Sequence, residues 1–240
     1  MSDRCVPRWR EVRSAPVSYW DCGVAVHLSA LLVLLVACAV AKAQSAAMSD
    51  APVRIVALGD SLTAGLGLPV NASFPARLES ALRKKGIAVE ITNAGVSGDT
   101  AAGGLARLDW SVPPGTDAVI VELGANDMLR GIDPKVTRAA LAEILQRLKQ
   151  RHIAVLLAGM RAAPNLGTDY GRKFESMYSG LAANDGVALY PFFLDGVAGE
   201  AKLNQSDGVH PTAAGVEEIV RRMLPEIEEL VSRVRMKRPI

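Results

Sequence analysis

A serine, a histidine and an aspartate are the residues of this chain whose types and spacing could do chemistry together. Ser61 stands in VALGDSLTAG, where the apolar run Val56, Ala57, Leu58 gives way to Gly59 and a polar turn. A serine hydroxyl is a weak nucleophile at neutral pH unless a base takes its proton, and histidine is the usual base. Of the three histidines, His27 falls in an apolar N-terminal stretch, and His152 in KQRHIAVLL reads as a connector between a helical pattern and a buried run. His210 is left. It stands in SDGVHPT with Asp207 three positions earlier, a spacing that lets the carboxylate hold Nδ1–H and leaves Nε2 free to accept the Ser61 proton, as in a catalytic triad. Pro211 biases His210 toward extended backbone and suits a helix start. Taken singly, G-D-S is also an ordinary turn with Ser61 as a helix cap, and D-x-x-H-P a capped turn.

Acyl transfer to a serine also needs donors for the developing oxyanion. Two further stretches offer them. In NAGVSGDT, Gly98 can bring a backbone N–H close to a substrate because no side chain intervenes; in LGANDMLRG, Asn126 offers an amide NH2. Alone, these are a glycine turn and an Asn cap. Together with the Ser61 turn they are three polar, glycine-marked loops, each following an apolar run. The nucleophile-elbow pattern G-x-S-x-G occurs nowhere, and Asp207 and His210 lie only three apart, both of which disfavour the usual α/β-hydrolase plan.

The elements that must position these loops alternate along the chain. Strand candidates are VRIVAL at 53, AVEITN at 88, DAVIVELG at 117, IAVLLAG at 153 and VALYPFF at 187. Between them FPARLESALRKKG, DPKVTRAALAEILQRLKQR and, less cleanly, YGRKFESMYSGLAAN place apolar residues at helical spacing. Pro75 and Pro134 mark two helix starts and Gly86 a stop. The last segment, TAAGVEEIVRRMLPEIEELVSRV, reads as a helix that Pro225 should kink or break. Repeated strand-helix-strand units mean parallel strands with helices on both faces, a three-layer α/β/α sandwich. In such a sheet the loops after successive strands share one edge, where sites are built.

Residues 1–50 differ in kind from residues 51–240, which form the expected single domain. Arg4, Arg8, Arg10 and Arg13 precede a nearly unbroken apolar stretch from Val24 to Val40, and AKAQ follows. That is an export signal with cleavage after Ala43. Two other readings stay open: a retained membrane anchor, and a lipoprotein signal in which Leu35-Val36-Ala37-Cys38 is the lipobox and Cys38 carries the lipid. Cys5, Cys22 and Cys38 all lie in this leader, so a cysteine nucleophile, a disulfide framework and a cysteine-ligated metal are excluded for the domain. With 27 basic and 25 acidic residues there is no dedicated nucleic-acid surface. Oligomeric state is left open, with a monomer as the default.

The four motifs, in order, resemble the blocks of the SGNH or GDSL hydrolases: GDSLTAG with Ser61, NAGVSGDT with Gly98, LGANDMLRG with Asn126, and DGVHPTAAG with Asp207 and His210. The resemblance covers residues 53 to about 225. It implies a flavodoxin-like, mostly parallel sheet, an acyl-serine mechanism without metal or cofactor, and an oxyanion hole of the Ser61 and Gly98 amides and the Asn126 side chain. Compact length, the SGDT and GANDMLRG loops and the leader are most similar to the bacterial periplasmic acyl-CoA thioesterase, lysophospholipase and arylesterase group. The expected function is hydrolysis of small-molecule acyl esters or thioesters, with LGLPVNASFP and FFLDGVAGEAKLNQ bordering the acyl pocket. Phe192, Phe193 and Leu194 read as core or as acyl-site lining. A carbohydrate acetylesterase with the same triad is the near alternative. A nucleotide- or phosphate-binding module is a distant one, since the first loop lacks both the G-K-[ST] ending and the G-x-G-x-x-G spacing.

Overall fold

The computed structural model describes residues 51–238; the basic and apolar leader, its candidate cleavage and lipidation sites and all three cysteines lie outside the described residues. Five strands form one sheet: β1 (Val53–Gly59), β2 (Val89–Gly95), β3 (Ala118–Glu122), β4 (Ala154–Ala158) and β5 (Ala188–Tyr190). Every pairing is parallel and the order is β2-β1-β3-β4-β5, the flavodoxin-like arrangement, whose topological switch lies between β1 and β3. The central strands are covered on both faces and read as unbroken apolar runs: all five residues of β3 are buried. At the edge, β2 exposes Glu90, Thr92 and Asn93, and β5 is only three residues long.

The helices are α1 (Ser61–Ala64), α2 (Phe74–Lys84), α3 (Ala101–Ala106), α4 (Leu108–Ser111), α5 (Ala125–Leu129), α6 (Pro134–Gln150), α7 (Thr168–Asp185) and α8 (Ala213–Lys237). Those legible as long apolar periodicities, α2, α6, α7 and α8, form the outer layers: α2 packs on α8 over one face of the sheet, and α7 on α6 with α3 over the other. Phe74 of α2 meets Phe193 edge-on at 5.0 Å, and Phe174 meets Tyr178 the same way at 5.6 Å. Phe193 is therefore core, whereas its neighbours Phe192 and Leu194 turn toward a cavity at the carboxyl end of the sheet. His152 is the connector its context implied, joining α6 to β4 with φ 57°.

Of the two outcomes expected at Pro225, a kink or a break, the break does not occur: the last helix continues through it to Lys237. The ring removes one backbone donor, but Met223 and Ile227 on either side are buried against the sheet while Pro225 itself points to solvent. Packing of the apolar face holds the helix across the lost bond. Pro225→Ala should accordingly stabilise the protein by about 1–3 kcal/mol, read as a higher urea midpoint with an unchanged slope.

Candidate active site

The site begins where β1 runs out. Asp60 is the cap of α1, its Oδ1 accepting the Leu62 N–H at 3.0 Å, which frees the Ser61 hydroxyl from the capping role it could have played. Ser61 Oγ lies 2.9 Å from Nε2 of His210, across 149 residues of sequence. On the far side of the ring, Nδ1 is 2.7 Å from Asp207 Oδ2. Asp207 Oδ1 accepts the backbone N–H groups of Val209 and His210 at 2.9 and 3.0 Å. These backbone donors, His210 first and then Val209, together with the imidazole, lower the carboxyl to about 2, so it is charged at neutral pH.

Gly98 has φ 85°, in the left-handed region that favours glycine, and its carbonyl accepts from the Arg130 guanidinium at 2.6 Å. Asn126 donates one Nδ2–H to Asp60 Oδ2 at 3.0 Å, leaving the second for a ligand. Ser61, Gly98, Asn126 and His210 all line one cavity of about 490 Å³. All three loops singled out in the sequence thus meet at one edge, and Asp207 stands behind His210. The remaining lining is largely apolar: Leu66 and Met128, then Met160, Phe192 and Leu194. Both segments expected to border it contribute, the first through Leu66 and the second through Phe192, Leu194 and Asn204.

Beneath the nucleophile turn lies a polar layer that the sequence reading missed. Arg107 donates to Gly59 O at 2.8 Å, Ala94 O at 2.8 Å, Ser111 Oγ at 3.0 Å and Asp99 Oδ2 at 2.6 Å. One buried guanidinium thereby ties the ends of β1 and β2 to the Gly98 loop. A Cβ on Gly95 would stand 2.3 Å from the Ala64 nitrogen, so β2 and α1 touch backbone to backbone there. Glu122, fully buried at the end of β3, accepts from Thr63 Oγ1 at 2.7 Å and, more weakly, from the Asp60 N–H at 3.4 Å. Asp127 fastens the Asn126 turn to the start of α3 through the Ala101 N–H at 2.8 Å and to α6 through Thr137 Oγ1 at 3.0 Å. Gln205 Nε2 donates to Leu66 O and Pro211 O at 2.7 and 2.9 Å, strapping the Ser61 loop to the His210 loop. Glu122 did leave a sequence signal, a lone acid in the apolar run AVIVELG; Arg107 and Gln205 left none.

Burial pushes the Asp60 carboxyl up from 3.8 to about 6, against the hydrogen bonds from Leu62 and Asn126. Burial, reinforced by the neighbouring Asp60 charge, also raises Glu122 well above the usual carboxylate range.

Two outcomes follow from this layer. Arg107→Met strands Asp99 and two carbonyls and should lower stability by about 3 kcal/mol, measured by urea unfolding. The raised Asp60 carboxyl means that the folded protein holds that proton more tightly than the unfolded chain. Its contribution is complete below about 3.8 and declines as pH rises toward about 6. Relative to Asp60→Asn, the wild type should therefore lose stability between those pH values; parallel pH-stability curves would contradict the assignment.

Residues 57–217 match the model of the GDSL-like Lipase/Acylhydrolase family. The chain is 38% identical to the esterase TesA of Pseudomonas aeruginosa over 178 residues, which is 74% of this chain and 89% of that protein. It is 36% identical to the thioesterase 1/protease 1/lysophospholipase L1 of Escherichia coli K12 over 179 residues, 74% of this chain and 85% of the relative. Among solved structures, AlinE4, an SGNH-hydrolase family esterase, superposes with a TM-score of 0.64 at 49% identity, covering 74% of this chain and 96% of that one. Fold, motif order and similarity agree, and the chain belongs to the GDSL-like lipase and acylhydrolase family of ester hydrolases.

Proposed function

We propose that the site hydrolyses carboxylic esters or thioesters of apolar acyl groups through an acyl-serine intermediate. Ser61 Oγ attacks the carbonyl carbon as its proton passes to His210 Nε2, and Asp207 holds the imidazole in that tautomer and balances the imidazolium that forms. The oxyanion is received by the Ser61 and Gly98 amides and the second Nδ2–H of Asn126. Collapse breaks the bond to the leaving oxygen or sulfur, which takes the proton back from His210. Water then gives a proton to the same nitrogen, attacks the acyl carbon, and releases the acid with Ser61 restored. No metal or cofactor enters this scheme.

The observation that carries the reading is the unbroken Asp207–His210–Ser61 chain at the wall of an apolar cavity. Phe192, Leu194, Met128 and Met160 suit an acyl chain, and a relative is named as both thioesterase and lysophospholipase. The apolar wall also counts against an acetylated carbohydrate and against a phosphate cradle. Residues 1–50 we read as an export segment that delivers the domain to the periplasm, either cut after Ala43 or lipidated at Cys38.

Hydrolysis of p-nitrophenyl butyrate should fall at least about a thousandfold in Ser61→Ala. Equal activity of the two proteins would overturn the serine mechanism. Activity confined to acetylated xylan would replace the acyl-chain reading with the carbohydrate one.

A further inference from the structure

Each of the four loops that bring a candidate site residue to the sheet edge also holds one large apolar side chain out in solvent. Leu66 follows the Ser61 turn and is 46% exposed; Val96 precedes Gly98 and is 40% exposed; Leu129 follows Asn126 at 58%; Val209 precedes His210 at 41%. Among the described residues eight large apolar side chains are exposed in this way, and half of them stand on these four short loops. Leu66, Leu129 and Val209 line the cavity itself, and Val96 adjoins Ser97, which also lines it. They form an apolar rim continuous with the cavity wall.

Two cations stand at the rim without a carboxylate partner among the described residues. Arg130 and Arg161 are exposed. Arg130 reaches only the Gly98 carbonyl and Arg161 lies over the Phe192 ring at 4.8 Å; neither makes an ion pair among the described residues. Of the carboxylates on the same loops, Asp60 is turned inward to Asn126 and Leu62, Asp99 to Arg107, and Asp127 to Ala101 and Thr137, while the half-exposed Asp207 is engaged by His210. Apolar side chains flanked by unpaired arginines suit a surface that is hydrocarbon just beneath a layer of phosphates.

We propose that this rim docks on anionic phospholipid bilayers, seating the cavity mouth against the lipid so that amphiphilic esters pass from the bilayer to Ser61. Docking is a property of the rim alone, so its test needs no turnover and stands or falls separately from the ester-hydrolase reading. Pelleting with vesicles is not diagnostic, because residues 24–40 are themselves apolar. The contact has to be located within the protein.

The experiment is hydrogen exchange of the full chain carrying Ser61→Ala, alone and with phosphatidylglycerol vesicles. Slower exchange is expected in residues 66–70, 96–99, 128–132 and 207–210, with residues 113–117 and 150–153 at the opposite edge unchanged. Unchanged rim exchange in the presence of vesicles overturns the proposal. So does equal protection by dihexanoyl phosphatidylglycerol held below its micelle concentration, which would report a filled cavity and no surface contact. Equal protection by uncharged phosphatidylcholine vesicles would overturn the part given to Arg130 and Arg161. Val96→Ser, outside the cavity lining, should reduce the protection of all four loops, with exchange in β3 reporting that the variant is folded.

Discussion

The hydrogen bond between Ser61 and His210 joins the first strand of the domain to the loop before its last helix, 149 residues later, and nearly everything else in the fold serves to keep its ends in place. A bond of 2.9 Å has little tolerance for movement. Ser61 is fixed from below by β1, which is hydrogen-bonded on both sides by β2 and β3. His210 is fixed from above by α8, whose buried face packs on α2 and the sheet. Between them Gln205 binds the two loops directly. The bond is thus a readout of tertiary packing, and neither partner could be held by its local sequence alone.

Under the nucleophile turn the protein accepts a cost that a purely apolar core would avoid. Arg107, Asp60, Glu122 and Asp127 are withdrawn from water, and Glu122 Oε1 has no hydrogen-bond partner among the described residues. Burying such groups is unfavourable unless they are paired, and the pairing here is specific: Arg107 reaches the ends of two strands and one loop, Asp127 one turn and two helices. Apolar contacts could fill the same volume, but they are non-directional and would leave the Gly98 loop free to shift against Ser61. The polar layer exchanges stability for a fixed distance between the Ser61 turn and the Gly98 loop at the cavity wall.

How much of this was legible in the sequence depends on the range of the interaction. β1, β3, β4 and the long helices announced themselves because burial imposes a period that a single chain displays. The Ser61, Gly98, Asn126 and Asp207–His210 loops were legible because parallel topology sends the ends of successive strands to one edge, so glycine-marked polar loops could be placed together without coordinates. Arg107 was not legible, since an arginine in a short amphipathic stretch looks the same whether it is solvated or clamps two strands. Continuity of the helix at Pro225 was not legible for a related reason: local sterics argue for a kink or a break, and it is the tertiary burial of Met223 and Ile227 that carries the helix through without a break. The short helices α1 and α5 carry no period and exist because Asp60 and Gly124 start them at the ends of strands.

The two aspartates closest to the reacting groups show how one site assigns opposite electrostatic roles to one residue type. Asp207 is partly open to water and accepts three N–H groups, which fixes its charge far below neutral pH. Asp60, next to the nucleophile, is sealed from water and loses much of its preference for the charged form. In the proposed acyl-serine scheme an oxyanion forms beside Ser61, and a second permanent charge there would raise its energy. Burial brings the Asp60 carboxyl up to about 6, nearer to neutral pH though still below it, while its oxygens cap α1 and hold one side of Asn126. In the proposed scheme the charge of Asp207 stands behind the imidazole, where it would stabilise a cation, and the carboxyl in front of it is the one that burial makes easier to protonate.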